Sequence, residues 1–304
     1  MQIKVLFQAS QFLHIPVETN NWPAISFPVD MNVKVEIGPL VKPSKRTAHV
    51  HSVPGKRKGP VVVDASFPVF CTTDIDKTKE DYLKVRSIAY QKAKSFAEWL
   101  RVKSNQPQLR LSNEYNLECR AVYDSTDHPL PNWGRDFRRW SKNPHERPLP
   151  LVNQEAWHSA IKDTQDKVEL PLHKVLLLDA EAELERDPRT AILFADMACE
   201  VFIQRYTEAK AKAAGIQDIF WKWLVDNPFP EGRRPSTPAY YNAILALVMR
   251  VSLKDENGEL FGRLRKLVDA RNDIAHRGIL PLRTPPEKLV ETAREVIKWV
   301  EDIK

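Results

Sequence analysis

The stretch LVDARNDIAHRG, Leu267 to Gly278, decides how this chain is read. It closes a segment, Glu256 to His276, in which Leu260, Leu264, Leu267, Val268, Ile274 and Ala275 recur at spacings of three, four and seven. That period predicts a helix that buries one apolar stripe. Arg271 falls four residues after Leu267 and three after Val268, so it projects from the stripe and not from the solvated face. A guanidinium taken out of water without a partner costs several kcal/mol. The arginine therefore demands either a carboxylate from another element or a polar cleft.

The segment AILFADMACEVFI, residues 191 to 203, offers the complementary anomaly. Its only charges are Asp196 and Glu200, four apart and hence on one face of an otherwise apolar helix. Asn272 and His276 are also four apart, close enough for the amide to orient the imidazole. Arg271 and His276 are five apart, about 140° around an ideal helix. They converge only if the long arginine wraps and the histidine sits on a loosened last turn, an ending that Gly278 favours. A histidine there also meets the negative end of the helix dipole, which favours its protonated form.

The run Arg271-Asn272-Asp273-Ile274-Ala275-His276 resembles the RX4-6H motif of HEPN domains, in its RNxxxH form and at the end of a late helix. The earlier segment DPRTAILFADMACEVFIQRY is similar to the early HEPN helix, which often carries an acid in the position of Glu200. The resemblance covers roughly residues 170 to 304 and is nearest to the Apea-like HEPN group. It implies a metal-independent endoribonuclease, commonly a homodimer in which two motifs meet across a shared cleft. The chemistry suits the residues: attack by the RNA's own 2′-hydroxyl needs a group that moves protons near neutrality. It also needs fixed positive charge on the phosphorane-like transition state, where an arginine fork fits phosphate oxygens. The expected roles are His276 as acid and base, Arg271 as phosphate clamp, Asn272 as orienter or additional donor, and Glu200 with Asp196 as partners behind them. No metal or other cofactor is expected. The competing reading is a dimerising binding or regulatory module, in which an Arg-acid pair merely pins the bundle and the N-terminal part senses a ligand.

Outward from this motif, the chain divides by proline and by hydrophobic period. Residues 1–125 are expected to form an α+β domain of unknown role. MNVKVEI at 31–37, VVVDASFPVF at 61–70, LRL at 109–111 and EYNLECRAVY at 114–123 read as strands, and a long helix is expected over about 74–102. Residues 126–151, with prolines at 129, 131, 144, 148 and 150, read as a connection. Residues 152–304 are expected to be an all-α, HEPN-like bundle, with helices at about 152–166, 172–185, 189–212, 216–226, 238–253, 257–276 and 286–303. Asp187-Pro188 and Ser236-Thr237-Pro238 supply helix openings, and Gly278 a helix stop.

With 42% apolar and 28% charged residues, the composition is that of a globular protein. The N-terminus lacks a signal-like apolar run and no segment reaches membrane-spanning length, so the expected location is cytoplasmic and no membrane partner is expected. Cys71, Cys119 and Cys199 are too scattered for a metal-binding or disulfide framework and read as reduced thiols. The net charge of +6 permits an anionic partner, with RNA the one expected. Two basic clusters are weaker candidates for RNA contact. One is Lys56, Arg57 and Lys58 in PGKRKGP; the other is Arg135, Arg138 and Arg139, interleaved with Trp133, Phe137 and Trp140. In both, a solvated loop or a docked connection is the favoured reading. His49 and His51 form a lone HxH, too little for a metal site. The phosphate-loop, dinucleotide and hydrolase-elbow motifs are absent from the sequence. By analogy with two-part defence proteins, an unknown trigger would act on residues 1–125 and release RNA cleavage against phage.

Overall fold

The computed structural model describes residues 2–9, 13–16, 22–30, 33–37, 62–65, 68–74, 79–109, 111, 117–124, 126, 128, 152–226, 234–278, 280 and 284–303. The chain forms two compact units, Met1–Leu170 and Pro171–Lys304.

Among its described residues, unit 1 contains seven strands: β1 (Gln2–Ala9), β2 (Leu13–Pro16), β3 (Ile25–Asp30), β4 (Val33–Ile37), β5 (Val62–Ala65), β6 (Pro68–Asp74) and β7 (Leu117–Asp124). Five make a sheet in the order β3-β4-β6-β1-β7 with every neighbour antiparallel, and β2 pairs with β5 as a separate ribbon. The register lines Val5 and Val35 up on either side of Cys71, and Ile37 opposite Val69. Val5, Val35, Ile37 and Val69 are fully buried, as period-two alternation requires of residues sharing one covered face. Helix α1 (Lys79–Ser104) packs against β4 and β6. It does so because Val85, Ala89, Ala93, Phe96 and Leu100 recur at helical spacing and all are buried.

Three local expectations are corrected here. The run at 61–70 breaks into β5 and β6, whose end takes over Asp74, so α1 begins only at Lys79. Leu109 and Leu111 are buried without being part of a strand. Helix α2 (Gln154–Gln165), expected in the bundle, belongs to unit 1. It is capped by Asn153, whose Oδ1 accepts from the Ala156 N–H at 2.7 Å. Its Trp157 is fully buried, edge-on to Trp22 at 5.4 Å and to Phe96 at 4.8 Å, and donates from Nε1 to the Pro23 carbonyl at 3.1 Å. A tryptophan needs a large apolar slot with one acceptor at its edge. Unit 1 supplies it through β3's leading segment and α1.

Unit 2 is an all-helical bundle: α3 (Leu172–Glu183), α4 (Pro188–Ala213), α5 (Asp218–Asp226), α6 (Thr237–Ala239), a π-helical turn (Tyr240–Ile244), α7 (Leu245–Met249), α8 (Leu253–Glu256), α9 (Gly258–Arg277) and α10 (Pro286–Glu301). Helix α4 is central, packed by α3, α9, α10 and the π-turn with α7. It opens as its sequence says: Asp187 accepts from the Arg189 N–H and the Thr190 hydroxyl, with Pro188 in the first turn. Helix α10 presents Leu289, Ala293, Val296, Ile297 and Val300 to the core. The single helix expected over 238–253 is interrupted. A π-turn widens it at Tyr240, and Arg250 takes a left-handed conformation, φ 58°, that ends α7 before Ser252 caps α8. The Ser252 hydroxyl, 2.7 Å from Asn242 Oδ1, ties the two pieces together.

Candidate active site at the end of helix α9

Helix α9 stays regular through Arg277 and stops at Gly278, whose φ of 66° is left-handed and whose N–H reaches back to the Asp273 and Ile274 carbonyls. Its buried stripe is Leu260, Leu264, Leu267, Ala270 and Ile274; Val268 is half-buried, and Ala275, expected in the stripe, is exposed. Arg271 sits at the border of that stripe, with 37% of its side chain exposed.

The carboxylate it demands is Asp196 of α4. Arg271 Nε lies 3.4 Å from Asp196 Oδ2, and the acid's side chain is only 3% exposed. The same guanidinium donates from Nη1 to Asn272 Oδ1 at 3.0 Å. The arginine is thus tethered on its inner edge by a buried charge and on one flank by an amide, while the remainder is open to solvent. Burial pushes the Asp196 carboxyl up to about 6; Arg271 opposes that shift and Glu200 adds to it.

Glu200, also a candidate partner, is not paired with Arg271. It is half-buried and accepts from Gln204 Nε2 at 3.2 Å on its own helix. Four residues of separation set both acids on one side of α4, but the geometry selects the one nearer the N-terminus. His276 is exposed on the last turn. No hydrogen bond joins it to Asn272 among the described residues; the Asn272 oxygen accepts from Arg271. With the last turn unloosened, about 140° of helix separates Arg271 from His276. The structure brings Arg271, Asn272 and Asp196 together, and leaves His276 free on the neighbouring surface.

Behind the pair are Cys199, read from the sequence only as a reduced thiol, and Tyr241, which the sequence did not single out. Cys199 and Tyr241 are fully buried, and Tyr241 donates its hydroxyl to the Cys199 carbonyl at 3.2 Å. Burial raises both above their ordinary values, and the nearby Asp196 charge adds to each shift. The paired tyrosines after the Ser236-Thr237-Pro238 opening were the available signal, but a π-turn is not visible in a 3.6-residue period.

Lys56, Arg57, Lys58, Arg135, Arg138, Arg139, His49 and His51 lie outside the described residues. Among the described residues no group of three or more His, Cys, Asp or Glu is arranged to hold a metal ion, and no helix is long and apolar enough to cross a membrane. No family model, no curated protein and no solved structure matches the chain.

Proposed function

We propose that unit 2 is an HEPN-type bundle that cleaves RNA without a metal ion, with Arg271, Asn272 and His276 at its reacting edge. The observation that supports this reading best is the half-exposed Arg271, fixed from behind by buried Asp196 and flanked by Asn272, at the same capped helix end as exposed His276. A tethered guanidinium loses little further freedom when it donates to two phosphate oxygens. His276 removes the proton from a 2′-hydroxyl, whose oxygen attacks the adjacent phosphorus. The bond to the 5′-oxygen breaks, that oxygen takes the proton that His276 carried off, and the products are a 2′,3′-cyclic phosphate end and a 5′-hydroxyl end. Arg271 holds the added negative charge of the five-coordinate phosphorus. Asn272, with its oxygen on Arg271, has its amide N–H groups left for the substrate.

In this reading the partners are RNA and a second copy of the chain, joined through the bundle, and the protein works in the cytoplasm. Unit 1 is read as an α+β domain, from its antiparallel sheet covered by α1 and α2. It would receive a trigger, in an antiviral role argued by analogy alone.

A second reading, a non-catalytic dimerising or regulatory module, draws on a different observation: Asn272 orients Arg271 and not His276. The two separate in one assay. RNA is incubated with the chain in excess EDTA, beside Arg271→Ala and His276→Ala. Cleavage lost by at least about 100-fold in both variants, leaving cyclic phosphate ends in the unaltered chain, is the expected result. Equal cleavage by all three proteins would overturn the catalytic assignment. Dimerisation without any cleavage, kept in both variants, would favour the module.

A further inference from the structure

Asp196 is a buried acid with a partner on one side only. Its Oδ2 meets Arg271 Nε at 3.4 Å, while its Oδ1 is buried and has no hydrogen-bond partner. Tyr241, a buried hydroxyl that feels the Asp196 charge, commits its proton to the Cys199 carbonyl. A fully ionised carboxylate normally accepts several hydrogen bonds when buried, so this one is poorly supported in its charged form. The arginine, in contrast, has two ways to stay satisfied. Asn272 Oδ1 holds it without needing a charge, and over a third of its side chain already faces solvent.

These asymmetries define two states. With Asp196 ionised, attraction across 3.4 Å keeps the guanidinium against α4. With Asp196 protonated, the attraction is gone, the acid is neutral as its surroundings prefer, and among the described residues no other ion pair holds the arginine. We propose that Asp196 is a proton-operated latch on Arg271, drawing its guanidinium inward when ionised and releasing it toward solvent when protonated.

The surroundings set where the latch operates. Arg271 from α9 favours the ionised form, and Glu200 from α4 itself disfavours it; burial dominates both and moves the carboxyl up to about 6. Cys199 on α4 and Tyr241 on the π-turn are the other titratable groups in the acid's field, and burial keeps both protonated well above neutrality. Among the described residues, α3 and α10 add no charge to it. The latch belongs to the Asp196–Arg271 pair and holds whether or not unit 2 cleaves RNA. If Arg271 does clamp phosphate, the latch makes that clamp looser in mildly acidic conditions.

The test needs no activity. In the full chain, the Asp196 side-chain carboxyl carbon and the Arg271 Nε–H group are followed by NMR from pH 5 to 8. Both are expected to show one shared transition near pH 6, with Arg271 Nε–H exchanging with water several-fold faster on the acid side. In Arg271→Ala the Asp196 midpoint is expected to move to higher pH, since the cation that lowered it is gone. Arg271 signals that stay flat while Asp196 titrates would overturn the latch, as would an Asp196 that remains ionised down to pH 5. Should Arg271→Ala not fold, the titration of the unaltered chain decides alone. Absence of RNA cleavage by the unaltered chain, with the shared transition intact, would sink the ribonuclease reading and leave the latch standing.

Discussion

Tyr241, on the π-helical turn, donates its hydroxyl to the main-chain carbonyl of Cys199 at 3.2 Å, with both residues fully buried. The bond fixes α4 to the interrupted segment at the level of Asp196, three residues earlier. The carbonyl it meets sits in the middle of α4, where the helix ladder also uses it. Tyr241→Phe therefore removes one bond without stranding its acceptor, and the expected loss is about 1 kcal/mol. Urea unfolding, followed by helical circular dichroism, measures it. A loss several times larger would mean that the hydroxyl supports more than this one contact.

Trp157 anchors α2 to unit 1 through Trp22, Phe96 and the Pro23 carbonyl. Truncating a fully buried tryptophan leaves a large cavity, so Trp157→Ala should cost about 4 kcal/mol. Amide hydrogen exchange tells where the cost falls. Protection is expected to drop in α1 and α2 and to hold in α4 and α9. Loss centred on α4 and α9 instead would return α2 to the bundle.

The misplacement of α2 shows what sequence periodicity leaves out. A helix's period gives its apolar face, and residues 154–165 were legible on that ground; the element that face meets is set by a slot contributed from residues as distant in the chain as Phe96 and Trp22. The second failure is of the same kind. The apolar pattern over 238–253 fits a continuous helix, but one extra residue per turn at Tyr240 and a left-handed Arg250 cut it into pieces. Neither event leaves a proline or glycine as a marker. By contrast, α4 and α9 carried their own caps and stripes and α10 its own stripe, and their limits match the expected ones within two residues.

At the site, the sequence carried the demand but not the choice. An arginine beside the stripe of α9 required an acid, and α4 held two on the same face. Which one answers depends on the crossing of the two helices, a tertiary quantity. The expected Asn272–His276 bond is not made among the described residues; the Asn272 oxygen instead takes a charge-assisted donor one residue away, the Arg271 guanidinium.

Gly278 holds φ at 66°, with open space around the position a Cβ would take. The cost of Gly278→Ala is then conformational alone, about 1 kcal/mol, and Gly278→Asn should recover much of it, since asparagine tolerates the left-handed region. Thermal unfolding gives the ranking Gly, Asn, Ala. Amide exchange should rise in the last turn of α9, which carries His276. Equal stability of all three would show that the helix end does not depend on this backbone geometry.

Two groups of unit 2, buried Asp196 and half-buried His173, pull the pH dependence of stability in opposite directions. Asp196 is raised from 3.8 to about 6, so between those values the folded chain keeps a proton that the unfolded chain has lost. Its contribution is fully present below 3.8 and fades as pH rises through 6, with a span of about 3 kcal/mol. His173, on α3 and packed at 4.8 Å from the Phe202 ring, is lowered from 6.5 to about 4, mainly by burial and further by Lys174 and Arg205. Between 4 and 6.5 the unfolded chain holds the extra proton, so this contribution is present above 6.5 and is lost as pH falls through 4. In the unaltered chain the two slopes offset each other across the shared range. Single variants separate them. Relative to the unaltered chain, Asp196→Asn should gain stability on going from pH 4.5 to 6.5, and His173→Asn should lose it. Urea midpoints at the two pH values read both signs directly, and a matching change in the two variants would refute the assignment of opposite slopes.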